Sequence, residues 1–349
     1  MLRFIATLLC LCFAVFAIPA TAEEIVLNAV GDIMLAGRGT TTYTRLGYDY
    51  PFAATQQQLS SGDLAIGNLE APLTDRGIEF RDKRFRFRTD PAAVTALKQA
   101  GFAVLTLANN HMMDFGSVGL KDTIDLLDLN GILHAGAGET LAAARQAATV
   151  TIKGKRLAFL AYSLTFPSEF YASELRPGTA PGYLPLFQED IANARQSADY
   201  VIVSFHWGTE RAERPHLYQI TAAHRAIDAG ADVVLGHHPH VLQGIEHYKN
   251  GVIFYSLGNF AFGSMSPSAK QSIIARITLD DGVTGVELLP LNVLNSTVRF
   301  QPRVMDAASG QAVIDHLNRI SIHLGTTITS SGGRHLIDME EGGLRVARK

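Results

Sequence analysis

The chain has 349 residues, 47% of them hydrophobic and 18% charged, with 30 lysines and arginines against 33 aspartates and glutamates for a net charge of −3. At about 150 residues per domain this length holds one large domain or two ordinary ones with a full core, and it excludes intrinsic disorder, collagen and coiled coil. The near balance of charge gives no global field for a nucleic-acid duplex, so anion recognition has to be local.

Arg3, the apolar run from Phe4 to Ile18 and the small-x-small ending Ala20-Thr21-Ala22 make the three parts of a secretory signal peptide, with cleavage predicted after Ala22. The alternative, an uncleaved membrane anchor, needs about 20 apolar residues to cross the hydrocarbon core. Both cysteines, Cys10 and Cys12, lie in this segment, each behind a leucine instead of the small residue that precedes a lipid-modified cysteine. The chain from Glu23 is therefore expected to be periplasmic or extracellular, membrane-anchored only if the segment is retained, and without thiol chemistry.

β-Branched, apolar runs predict strands at Ile25–Val30, Leu64–Ile66, Phe102–Leu107, Leu157–Tyr162, Tyr200–Phe205, Asp232–Leu235 and Val252–Tyr255. Helix-like stretches lie between most of them, at Ala53–Leu59, Pro91–Ala100, Val118–Leu129, Thr140–Ala147, Gln188–Gln196 and Pro215–Ala229. This alternation predicts an α/β domain with helices covering its sheet. Gln271–Leu279 and Thr284–Val293, split by Asp280-Asp281-Gly282, read as a hairpin that makes the sheet mixed. The domain is expected over 23–300, followed by a helix at Ala308–Leu324 and a partly ordered tail in 301–349.

Polar groups follow five of the strands: Gly31-Asp32-Ile33-Met34, Gly67-Asn68-Leu69-Glu70, Ala108-Asn109-Asn110-His111, Phe205-His206-Trp207-Gly208 and Gly236-His237-His238-Pro239-His240. One acidic residue after a strand is usually a turn former or helix cap. Five such segments at strand carboxyl ends converge on one crevice. Asp, Glu, Asn and His without Cys suit divalent manganese, iron or zinc. Around Pro239 the chain is expected to be extended, with His238 and His240 reaching one site. His111 is better placed as a general acid than as a ligand.

In Arg81-Asp82-Lys83-Arg84-Phe85-Arg86-Phe87-Arg88, strand alternation would set Phe85 and Phe87 on one face and Arg84, Arg86 and Arg88 on the other. A solvated basic face is the plain reading. Beside a metal crevice the guanidiniums, and Arg38 with them, are candidates to bind phosphate or carboxylate oxygens. Gly136-Ala137-Gly138 reads as a turn and Trp207 as packing.

Taken in order, GDIML, GNLEAPLT, ANNHMMDFG, SFHWG, GHHPHV and YSLGNF resemble the bacterial capsule-synthesis family typified by CapA and associated with poly-γ-glutamate, a branch of the calcineurin-like metallophosphoesterase superfamily. The resemblance spans about Ile25 to Phe260 and implies a layered αββα sandwich with mixed sheets. It implies a centre for one or two divalent metals, with Asp32 and His240 on the first, Asn110, His206 and His238 on the second, and Glu70 in the bridging place. His111 matches the proton donor, and Asp114 would orient its ring. Two departures stand out: Met34 occupies the place of a ligand histidine, and Glu70 replaces an aspartate. The implied chemistry is hydrolysis or transfer by metal-activated hydroxide, acting on an anionic capsule polymer or a phosphorylated envelope precursor. Membrane capsule-synthesis proteins are further candidate partners, nucleic acid is not, and a non-catalytic polymer-binding role is the alternative.

Overall fold

The computed structural model describes residues 23–339; the segment read as an export signal and the last residues of the tail lie outside it. Among the described residues no helix is long and apolar enough to cross a membrane.

Two mixed sheets form the frame. The larger, ten-stranded sheet holds four parallel strands, β1 (Ile25–Met34), β2 (Leu64–Leu69), β3 (Phe102–Thr106) and β4 (Leu133–Ala135). The six-stranded sheet contains β5 (Ala148–Ile152), β6 (Lys155–Ser163), β7 (Tyr200–His206), β8 (Val233–His237), β9 (Ile245–Tyr248) and β10 (Gly251–Phe254), with β6, β7, β8 and β10 parallel to their neighbours in that series. The chain then returns to the larger sheet. There β11 (Asn259–Phe262) lies parallel to β1, and the predicted hairpin appears as β12 (Gln271–Leu279) and β13 (Val283–Asn292), with β12 antiparallel to β1.

The parallel strands are continuous apolar runs because both of their faces are covered. Ile25, Leu27 and Ala29 of β1 meet Leu157 and Phe159 of β6, Tyr200 and Ile202 of β7, and Val233 and Leu235 of β8 in the core between the sheets. The intervening residues point outward. Val201, Val203 and Val234 pack under α3 (Leu184–Arg195) and α4 (Leu217–Asp228), while Leu69 and Leu105 pack under α1 (Ala93–Gln99) and α2 (Gly116–Leu129). The order of layers is therefore helix, sheet, sheet, helix, the expected αββα sandwich. A last helix, α5 (Ala307–Ser321), buries Val313, Ile314 and Leu317 in the core between the sheets, and the hairpin of β14 (Ile328–Ser331) and β15 (Arg334–Ile337) extends the larger sheet beside β13.

Two expectations need correction. Residues 81–88 form turns and coil, not a strand. The chain around Pro239 is not extended, since His238 and His240 both have positive φ, +96° and +58°. Positive φ in non-glycine residues is costly and persists where the surroundings enforce it.

The strand β1 runs past its predicted end because the YSLGNF segment supports it. The Asp32 N–H donates to the Gly258 carbonyl at 3.0 Å. A Cβ on Gly31 would overlap that same carbonyl. Gly31→Ala is expected to cost about 2 kcal/mol or more through overpacking and to lower Tm by thermal denaturation. Gly285→Ala, whose Cβ would meet only ordinary contacts, should leave Tm nearly unchanged.

Candidate metal centre

Backbone register places the first three polar residues. Asp32 pairs with Asn68 of β2 on one side and with Asn259 of β11 on the other. Asp32 and Glu70 are fully buried. Asn68 Nδ2 donates to Asp32 Oδ1 at 2.9 Å and lies 3.3 Å from His206 Nδ1, while its Oδ1 accepts from Asn109 Nδ2 at 3.1 Å. Asn109 also takes the N–H groups of His111 and Met112 on its Oδ1 at 3.0 and 2.9 Å. That tight turn turns Asn110 toward the centre, where its Oδ1 lies 3.0 Å from His206 Nε2. From the end of β8, His237 Nδ1 lies 3.1 Å from Asp32 Oδ1, and from the turn after it His240 Nδ1 lies 3.0 Å from Asp32 Oδ2. The Asn259 amide oxygen is 2.9 Å from the same His240 nitrogen.

Asp32, Glu70, Asn110, His206, His238 and His240, the ligand candidates named from the sequence, lie in one cluster. Glu70 is shared: its Oε1 lies 3.6 Å from His206 Nε2 and 3.7 Å from His240 Nε2. Two sets of ligand atoms, from Glu70, His238 and His240 and from Asp32, Glu70 and His206, each gather within 4.8 Å. Glu70 Oε1 and His238 Nδ1 are buried without a hydrogen-bond partner among the described residues. Buried polar atoms left unpaired are costly, and a divalent cation among these donors would satisfy them, so the residues fit the metal that the donor types imply. Met34 offers no such donor. Its side chain is buried with Ala36, Ala71 and Phe262, against Phe87.

The electrostatics follow from burial. Desolvation and the Asp32 charge push Glu70 well above the usual carboxylate range. Burial alone would raise Asp32 too, but His237 and His240 hold it well below. Desolvation drives His206 well below its ordinary value, with the His238 charge adding to it, and takes His238 to about 3. Both rings are therefore neutral, with lone pairs to give. For His240 the desolvation cost is outweighed by Glu70 and Asp32, and its pKa rises to about 9.

Beside this cluster lies a second one. His111 Nδ1 is 2.6 Å from Asp114 Oδ2. Lys83, a residue to which the sequence reading gave no role, reaches Asp114 Oδ1 at 2.7 Å, His111 Nδ1 at 2.8 Å and the Asn110 carbonyl. The Phe87 N–H donates to Asp114 Oδ2 at 2.8 Å. Burial lowers both His111 and Lys83 from their ordinary values, against the opposing pull of Asp114.

The centre opens into a cleft of about 450 Å³ whose walls include Arg38, Phe85, Phe87, His111, Arg211 and His240. Two arginines of the run, Arg86 and Arg88, are held by partners elsewhere. Arg84 lies over the Phe85 ring at 5.1 Å, Arg86 donates to the Lys83 carbonyl and sits 3.4 Å from Glu79, and Arg88 donates to the Asp75 carbonyl at 3.1 Å while stacking on Phe115. Trp207 is packing, stacked on Phe205 at 4.7 Å with its Nε1 donating to the Tyr255 carbonyl.

Fold and site together define an αββα sandwich protein with a buried oxygen and nitrogen ligand cluster at the carboxyl ends of its parallel strands. The chain belongs to the family described as bacterial capsule synthesis protein PGA_cap, whose model matches residues 26–264. It is 35% identical over 279 residues to the capsule biosynthesis protein CapA of Bacillus anthracis, covering 78% of this chain and 68% of that one. The PGA biosynthesis protein CapA of Bacillus subtilis (strain 168) is 33% identical over 306 residues, covering 86% of this chain and 80% of that one. Among solved structures, the calcineurin-like phosphoesterase YfkN from Bacillus subtilis is similar with a TM-score of 0.46 and 14% identity, over 84% of this chain and 98% of that one.

A ligand that binds only the folded protein stabilises it, by roughly 2.7 kcal/mol at a hundredfold excess over Kd. Manganese or zinc is expected to raise Tm accordingly. Glu70→Gln, which keeps the shape but takes away the shared anionic ligand, should abolish most of the metal-induced rise.

Proposed function

We propose that this chain is an exported, metal-dependent hydrolase or transferase acting in the synthesis, release or export of a poly-γ-glutamate type of capsule polymer. The names of its CapA relatives support the biological role. The chemistry rests on one observation, the proton-carrying cluster of His111, Asp114 and Lys83 set against the ligand cluster. When bound, a divalent ion supplies a Lewis acid and an acidified water.

The protein's own residues supply the rest. His111 Nδ1 lies 2.6 Å from Asp114 Oδ2, an acceptor-only carboxylate, so Nδ1 carries a proton and donates it there, while Lys83 donates to the other Asp114 oxygen. The protonated ring passes its Nε2 proton to a leaving oxygen or nitrogen and ends neutral. Asp114 holds both partners in place and keeps the ring from turning. Asn68 and Asn109 fix the two carboxylates and the His111 turn, so little reorganisation accompanies the reaction. Export rests on the sequence of residues 1–22, with cleavage after Ala22.

The apolar surroundings of Met34 favour a second reading, in which the centre is short of a ligand and holds polymer without cleaving it. Turnover of an aryl phosphate by manganese-loaded protein separates the two. We expect His111→Ala to lower kcat by about 10²- to 10⁴-fold with metal content unchanged by elemental analysis. A wild type that is inert and metal-free after reconstitution would sink the hydrolase reading. For export, N-terminal sequencing of the protein recovered from cells should begin at Glu23.

A further inference from the structure

Arg38 and Arg211 share the cleft with His240 and His111. Each backbone is tied to a segment that borders the centre. The Arg38 N–H donates to the Gly263 carbonyl at 2.9 Å, and the Arg211 N–H donates to the carbonyl of Pro239, between His238 and His240, at 2.7 Å. Arg211 adopts a left-handed conformation at φ +65°, a cost that this anchored turn sustains. Both side chains are exposed, and neither guanidinium has a hydrogen-bond or ion-pair partner among the described residues, which leaves both forks free at the cleft. The same cleft is lined by Phe85, Phe87, Phe262 and Met265, with Glu210 beside Arg211.

Two unpaired forks set on an apolar floor suit a ligand that carries carboxylates on a methylene chain. Bidentate guanidinium–carboxylate pairs read the charged groups, and the hydrocarbon between them covers the rings. A compact phosphate ester would leave the floor unused. We propose that Arg38 and Arg211 are the specificity-determining pair of this cleft, each reading one carboxylate of a polycarboxylate chain laid across the metal centre. This rests on the polymer reading above and deepens it. Arg86 and Arg88, held by other partners, take no part.

The test is calorimetric titration of metal-loaded protein with a short γ-linked glutamate oligomer, alongside a turnover assay with the same oligomer. We expect Arg38→Ala and Arg211→Ala each to weaken binding about tenfold or more, as loss of a hydrogen bond to a charged group does, with Tm unchanged. Arg38→Lys should recover part of the loss. Arg88→Ala should bind as wild type does, and an oligomer with its side carboxylates amidated should not bind. Wild-type binding that both alanine variants retain, that Arg88→Ala destroys, or that amidation spares would overturn the proposal, as would failure of the wild type to bind. Binding with these effects but no turnover would instead overturn the hydrolase reading and leave the arginine pair standing.

Discussion

Two carboxylates, Asp32 and Glu70, are removed from water at the ends of adjacent strands, and the structure around them is arranged to make that possible. An isolated buried carboxylate would be prohibitive, and two together add mutual repulsion. Asn68 lies between them and spends its amide hydrogens on both. His240 lies against both as well, with one ring nitrogen toward each. Its raised affinity for a proton is the counterpart of their charge, and a divalent ion in the same place would do that work with more charge and better geometry. The neutral rings of His206 and His238 complete a buried set of donors that hydrogen bonds leave partly unsatisfied.

Sheet register delivers this arrangement. In parallel strands, the ends carrying the site point the same way, and each strand contributes residues near or just past its carboxyl end. Asp32 opposite Asn68 and Asn259, and His206 opposite His237, are direct consequences of pairing. The glycines at 31 and 258 let the segment before β11 approach β1 closely enough for this to occur. A polar residue in YSLGNF is therefore brought to a histidine from GHHPHV, although neither motif alone contains a metal site.

Much of this was legible in the sequence. Polar groups after apolar runs showed which strand ends matter, and both sheets formed where the runs predicted. The ligand residues were visible because their chemistry is local: a carboxylate, an amide or an imidazole is what it is wherever it lies. Lys83 was not, because a lysine inside an arginine run reads as one more surface charge until the coil of residues 81–88 folds back over Asn110 and Asp114. Asn68 and Asn259 were hidden for a different reason, since their roles depend on which residue lies opposite in the sheet. The backbone at His238 and His240 was misjudged because the constraint before a proline yielded to tertiary packing. Short strands such as β5, β9 and β11 were missed where their pairing, not their composition, makes them strands.

The long reach of the contacts at Asp32 has a further consequence for how the protein comes into being. Its partners His238 and His240 lie 206 and 208 residues further along the chain. Asn259 is later still. A nascent chain can finish the first four strands and their helices while the centre does not yet exist, because half of the ligands remain to be synthesised. The donor set is complete only once both sheets have formed and paired, so an immature or wrongly registered chain would lack the full set of groups with which to hold a cation, and any ion bound there would report on the whole sandwich and not on one part.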